Sequence, residues 1–294
     1  MQRLRFRLRE PYDTDWVLRF LERRAIPGLE TVVGDRYERE LPEGTVRIRL
    51  GAGVATVSAP AVLDRDDVTR RVRALLDLDH DSRAVDAELA TEPTMARRIA
   101  VRPGLRVPGA WDLYELAVRA ILGQQVSVER ATQLTLRLVQ RFGANRAEPA
   151  ARFPPPATLA RVNPSEIGLP ATRGRAIRAL AAAFERGDLS RTEGDVDRLR
   201  RTLLSIPGIG PWTTEYVAMR GGRDPDAFPA SDWVVLQELS ATPAGASVQA
   251  EAWRPYRAYA VMYLWAAAAR RRAAAEQRPR AKDRPEMRSR GPRR

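Results

Sequence analysis

The hydrophobic period of this chain changes part-way along its length. Residues 3 to 9 alternate Arg with Leu or Phe, the two-residue period of a half-exposed strand. Residues 36 to 41, 45 to 50 (TVRIRL) and 53 to 58 read the same way, the last two joined by a glycine turn at Gly51-Ala52-Gly53. Between them Asp13 or Thr14 caps a helix with Trp16, Val17, Phe20 and Leu21 on one face, stopped before Pro27, and a second helix near 66 to 77 turns Val68, Val72, Leu75 and Leu76 inward. From Trp111 the helical period takes over. Leu113, Leu116, Ala117, Ala120 and Ile121 share a face, Gly123 fits a helix end, and Ser127 caps a helix running to Phe142. Residues 149 to 156 (PAARFPPP) read as a linker, and helices are expected near 173 to 186, 195 to 204, 211 to 221, 232 to 239 and 251 to 270. The expected fold is an α+β domain with an antiparallel sheet over residues 1 to 107, then an all-α domain over 108 to 270, then a basic, disordered tail over 271 to 294.

Composition removes several chemistries. The 294 residues contain no cysteine, which excludes disulfides, thiolate metal sites, iron–sulfur clusters and cysteine nucleophiles. The one histidine, His80, sits in an acidic, leucine-rich stretch with no visible partner, and Lys282 is the one lysine. Carboxylates are left to do any chemistry in the folded part. The net charge is +13, but residues 270 to 294 carry +8 of it, so the body is only mildly basic. The tail adds non-specific attraction to phosphates or is simply solvated. No apolar run approaches the ~20 residues of a membrane span, and no secretory signal opens the chain; a cytoplasmic protein is expected.

The stretch IPGIGPWTTEYVAMR (206 to 220) lies between two expected helices. Glycines 208 and 210 permit backbone conformations closed to other residues and clear side chains from the turn. Free amides of the turn and of the next helix's first residues can then meet a phosphate oxygen, which makes the segment a backbone clamp for phosphate; the alternative is a tight helical hairpin with no ligand.

This stretch, with DPDAFPASDW after it, RPGLRVPGAWDLYELAVRAILGQQVS and PYDTDWVLRFLERRAIPGLETV upstream, and WRPYRAYAVMYLW downstream, resembles the helix-hairpin-helix DNA glycosylases, and among them the DNA-3-methyladenine glycosylase II family. The resemblance covers residues 8 to 268. It implies an N-terminal domain similar to half of a TATA-binding-protein sheet, followed by two helical subdomains with the active site in the cleft between them. It also implies hydrolysis of the N-glycosidic bond of alkylated bases in duplex DNA, 3-methyladenine and 7-methylguanine above all, in base excision repair by a bacterial, nucleoid-associated monomer.

Cleaving that bond builds positive charge on the sugar, which an ionised carboxylate close to C1′ stabilises. By resemblance Asp232 is that carboxylate; it is also placed to cap the helix 232 to 239, and Asp224 and Asp226 lie in the loop before it. Trp212, Tyr216 and Trp265 match the family's aromatic pocket, where a cationic alkylated purine is held by about 0.5 to 2 kcal/mol per ring. The four-residue spacing of Trp212 and Tyr216 suits a core face equally well. Relatives that also cut the strand carry a lysine where this chain has Trp212, so the resemblance implies a monofunctional enzyme with water as nucleophile. The wedge that fills the hole left by an extruded base falls on Gln125, where the best-known members have leucine. Gly208, Ile209 and Gly210 are the expected phosphate contacts. The carbonyls of Leu204, Ile206 and Gly208 are the expected seat of a structural monovalent cation (sodium or potassium), with no other cofactor required. The competing readings are a non-catalytic lesion-recognition protein, or a glycosylase for hypoxanthine or uracil.

Overall fold

The computed structural model of the chain describes residues 1–143, 152–189, 192 and 194–276. Five antiparallel strands, β1 (Gln2–Arg7), β2 (Glu30–Val33), β3 (Arg36–Leu41), β4 (Gly44–Gly51) and β5 (Val54–Ala59), form one sheet in the order β1-β5-β4-β3-β2. Helix α1 (Thr14–Glu22) comes between β1 and β2, and α2 (Arg65–Leu75), α3 (Ser82–Leu89) and α4 (Pro93–Val101) follow the sheet. The helical part contains α5 (Leu113–Leu122), α6 (Val128–Phe142), α7 (Pro156–Leu159), α8 (Ala171–Glu185), α9 (Val196–Leu204), α10 (Pro211–Arg220), α11 (Trp233–Leu239), α12 (Pro243–Ala250) and α13 (Arg257–Glu276). This is the expected order of an antiparallel α+β region and then helices. No helix among the described residues is long and apolar enough to cross a membrane.

Several elements differ from the sequence expectation. Strand β2 is only four residues, too short for alternation to register, and is joined to β3 by the two-residue turn Gly34-Asp35 that pairs Val33 with Arg36. Helices α3, α4 and α12 have no counterpart in that expectation. The single helix expected over 251 to 270 is instead a short 3₁₀ turn at Glu251–Trp253, an extended Arg254, and α13, which runs past 270 to Glu276. The first residues of the expected tail are therefore helical. Residues 277 to 294 lie outside the described residues, as do 149 to 151 of the expected linker, whose Pro156 opens α7.

Packing does not follow chain order. The sheet's inner face, with Tyr37, Val46, Ile48, Leu50 and Val57, packs on Trp16 and Phe20 of α1 and Val68 and Val72 of α2, and this core continues into Tyr259, Met262 and Tyr263 of α13. A second core joins α5, α8, α9 and α10 through Ile121, Ile177, Leu180, Leu203 and Val217. Tyr216 of α10 packs against both. A buried ionic cluster also ties sheet to helix: Arg39 of β3 bonds Glu115 of α5 at 2.5 Å and Glu30 of β2 at 3.4 Å, while Arg119 reaches Glu115 at 2.9 Å and Glu30 at 3.0 Å.

Candidate active site

Asp232 stands at the seam between the two cores, where the chain turns into α11. It is 9% exposed and caps that helix: Oδ1 accepts from the amides of Val234 at 3.0 Å and Val235 at 3.1 Å. The indole Nε1 of Trp265 donates to the same oxygen at 3.0 Å, and that of Trp212 donates to Oδ2 at 3.1 Å. Cap and anchored carboxylate are one arrangement. All four donors are neutral N–H groups, and among the described residues Asp232 makes no ion pair. Its charge is held in place without a cation to cancel it, and Oδ2, with one donor, keeps the spare acceptor capacity. Asp224 and Asp226 are committed elsewhere: Asp224 pairs with Arg200 at 2.5 Å, and Asp226 with Arg257 at 2.8 Å and with Arg254.

The three aromatics expected from sequence converge. Trp212 and Tyr216 stack at 5.2 Å and 15°, and Trp265 tilts onto Tyr216 at 6.3 Å. The four-residue spacing puts both rings into one stack, with Tyr216 packed between the two cores and Trp212, half-buried, at its edge. Phe20 of α1 extends the cluster by stacking on Trp265 at 6.3 Å. Two guanidinium groups enclose Phe20, Arg24 at 3.7 Å from the ring centre and Arg220 at 4.8 Å. Arg220 is buried and has its donors fixed, to the carbonyls of Pro108 at 2.8 Å and Gly109 at 2.6 Å and to the Tyr216 hydroxyl at 2.8 Å. Burial pushes the Tyr216 phenol up, but the charges of Arg220 and Arg24 outweigh it and bring the group down to about 8.

The hairpin between α9 and α10 divides its glycines' tasks. Gly208 has φ +89°, and a Cβ there would meet that of Ala176 at 2.9 Å, so both conformation and space require glycine. Gly210 differs from the sequence expectation: its backbone is extended, with φ −102°, and a Cβ would meet nothing within 4 Å. It caps α10 without a side chain, and the amides of Trp212 and Thr213 have no backbone acceptor among the described residues. Ile209 offers no donor, since its side chain is buried and its amide donates to the Ile206 carbonyl at 3.1 Å. The Ile206 and Gly208 carbonyls each accept one bond and keep a second lone pair, and Leu204 ends α9, where carbonyls lack helical partners. An uncharged, all-carbonyl donor set fits a monovalent cation. Gln125 is exposed, in the left-handed region with φ +57°. Its neighbour Gln124 donates to the Gly208 carbonyl and to Thr213 Oγ1, both at 3.0 Å, and so ties the turn after α5 to the hairpin.

Residues 3–112 match the AlkA N-terminal domain, and residues 118–246 the HhH-GPD superfamily of base excision DNA repair proteins. DNA-3-methyladenine glycosylase 2 of Escherichia coli (strain K12) is 36% identical over 277 residues, covering 87% of this chain and 94% of that protein. The chain belongs to the DNA-3-methyladenine glycosylase 2 family. A second relative, named probable bifunctional transcriptional activator/DNA repair enzyme AlkA, from Mycobacterium tuberculosis (strain CDC 1551 / Oshkosh), is 38% identical over 280 residues; the match covers 89% of this chain and 56% of that protein. The fold is that of the 3-methyladenine DNA-glycosylase from Archaeoglobus fulgidus, with a TM-score of 0.73 at 19% identity, covering 89% of this chain and 96% of that one.

In this member of the DNA-3-methyladenine glycosylase 2 family, sequence reasoning missed Phe20, Arg24, Arg220 and Gln124. The first two share a helix face or its extension at a spacing of four, as do Tyr216 and Arg220, so a signal existed. What sequence lacked was the meeting of α1 with α10 and α13. Trp233, 62% exposed directly after Asp232, is a further large aromatic that burial does not explain and that sequence reasoning did not single out.

Proposed function

We propose that the chain is a monofunctional DNA glycosylase that extrudes an alkylated base of the 3-methyladenine or 7-methylguanine class from duplex DNA and hydrolyses its N-glycosidic bond. The observation that carries this reading is the Asp232 carboxylate, immobilised by two indoles of the same aromatic cluster and left without a positive partner. An alkylated purine departs with the bond's electron pair and becomes neutral, so no protonating group is needed. The sugar is left with positive charge, which the nearby carboxylate stabilises, while Oδ2 accepts a hydrogen bond from the attacking water and takes its proton as the new C–O bond forms. Trp212, Tyr216 and Trp265 receive the flat, cationic ring. Because Arg24 already lies over Trp265 at 5.9 Å and Arg220 over Tyr216 at 5.5 Å, Trp212 is the ring of the three best able to favour a cation.

The free amides at the start of α10 meet a backbone phosphate, and Gln125 enters the stack where the base has left. A sodium or potassium ion on the carbonyls of Leu204, Ile206 and Gly208 would add positive charge beside that phosphate. With no lysine before Lys282, a Schiff base has no amine within the helical part, which makes water the nucleophile; the enzyme of this reading acts on duplex DNA as a monomer. The test uses duplexes that each carry one defined lesion, with base release measured before and after alkali. Release of 3-methyladenine and 7-methylguanine, with strand cleavage only after alkali, is expected; cleavage without alkali would contradict the monofunctional reading.

A further inference from the structure

The outward face of the sheet is open to solvent, since Arg47 and Arg49 on the central strand β4 and Thr56 on β5 are exposed. Strand alternation brings six arginines to it: Arg3, Arg5 and Arg7 of β1, Arg36 of β3, and Arg47 and Arg49 of β4. The register arranges them in rows. Arg5, Thr56, Arg49 and Arg36 are successive cross-strand partners, and so are Arg3, Ser58 and Arg47. Carboxylates answer only part of this charge: Asp35 pairs with Arg49 at 2.8 Å and Glu38 with Arg47 at 3.5 Å. Arg3, Arg5, Arg7 and Arg36 make no ion pair among the described residues. Arg36 and Arg49 stand directly opposite each other, a like-charge pair that lowers the stability of a sheet. Thr56 and Ser58 line the rows between β1 and β4 with short hydroxyl side chains.

We propose that this face binds a second segment of duplex DNA by its phosphates. Strands about 4.8 Å apart place Arg5 and Arg49 on the order of 10 Å apart, and β1 presents an arginine about every 7 Å. That is a two-dimensional grid of guanidinium groups over a floor of hydroxyl donors, suited to sequence-independent phosphate contact. A polyanion would also relieve the opposition of Arg36 and Arg49. The sheet's inner face packs on α1, which carries Phe20 of the aromatic cluster, so the arginine face looks away from the cleft. A duplex segment held there is distinct from the one being repaired. The proposal rests on duplex DNA being the substrate of the cleft, because an enzyme engaged there has further duplex as its most abundant neighbour. The face then passes the enzyme from one segment to another.

The test saturates the full chain with an unlabelled duplex carrying an abasic analogue and titrates in a labelled undamaged duplex at low salt. The wild type is expected to form a ternary complex. The triple variant Arg3→Gln, Arg5→Gln, Arg36→Gln should bind the second duplex at least ~10-fold more weakly, with a log–log salt slope shallower by about 3, since each guanidinium that neutralises a phosphate releases about one counterion. Its excision rate at saturating DNA should be unchanged and its melting temperature no lower. A wild type that takes up no second duplex, a triple variant that takes it up equally well, or a preference of the face for single-stranded RNA or anionic vesicles over duplex would overturn the proposal. Failure of the glycosylase reading would appear separately, as no base release by either protein.

Discussion

Tyr216 shows how one side chain records the charge of the site. Its phenol, brought to about 8 by Arg220 and Arg24, contrasts with Tyr12, Tyr37, Tyr114, Tyr259 and Tyr263, all of which burial pushes up. An absorbance titration should therefore show one phenol ionising near pH 8, and Tyr216→Phe should remove that step. The folded value lies below that of a free phenol, near 10, so the native state gives up this proton before the unfolded chain does. The group's contribution to stability therefore appears as pH rises through that window and is absent below it. No step near pH 8, or one that persists in the Phe variant, would mean that the two guanidinium groups do not act on Tyr216. Residues were legible in the sequence where their chemistry is local. Asp232 announced itself as a cap, and Trp212 and Tyr216 as one helix face. The indole of Trp265 on Asp232, thirty-three positions away, and Arg220 over the Phe20 ring required the tertiary meeting of α1, α10 and α13.

Among the elements, the hairpin offers two substitutions with opposite consequences. Gly208→Val forces a β-branched residue to φ +89° against Ala176 and should cost roughly 1 to 3 kcal/mol of stability, read as a lower melting temperature. Gly210→Val puts its side chain into open space at the start of α10, where the phosphate is proposed to sit. It should leave stability nearly unchanged and weaken binding to damaged and undamaged duplexes alike. If Gly210→Val kept full affinity, the hairpin would be a structural turn only. The buried cluster on α5 supplies a third case. Glu115 is buried between Arg39 and Arg119, and Glu115→Gln leaves both short of a countercharge, so a loss of about 3 to 5 kcal/mol is expected. Long periodic helices such as α6 and α8 were readable within a residue or two. The four-residue β2 and the alanine-rich stretch around α12 were not, because neither is long enough or contrasted enough to show a period.

The described residues form two large cores, a small third one around Ile26, Leu29 and Val139, and a seam between the first two. The sequence reading put the helices after residue 108 into one domain of two subdomains without saying which elements pack on the sheet; α13 shares the sheet's core. Periodicity shows that a helix has an apolar face and does not say which partner covers it. The seam is where Asp232, Trp212, Tyr216 and Trp265 meet. The basic charge of the chain divides between the body and the C-terminal residues, and removing residues 277 to 294 should flatten the salt dependence of duplex binding while the preference for damaged DNA survives. An unchanged slope would mean that these residues do not touch phosphate.

All of the proposed chemistry converges on one negative charge. Asp232→Asn preserves the shape, and its side-chain oxygen can still cap α11, but the charge opposite the developing positive sugar is removed. The decisive measurement is excision of 7-methylguanine from duplex DNA by this variant, corrected for spontaneous depurination, beside its binding to a duplex with an abasic analogue. A fall of at least ~100-fold in excision with folding and binding intact is predicted. Near-native excision by Asp232→Asn would contradict it and leave Asp232 a helix cap.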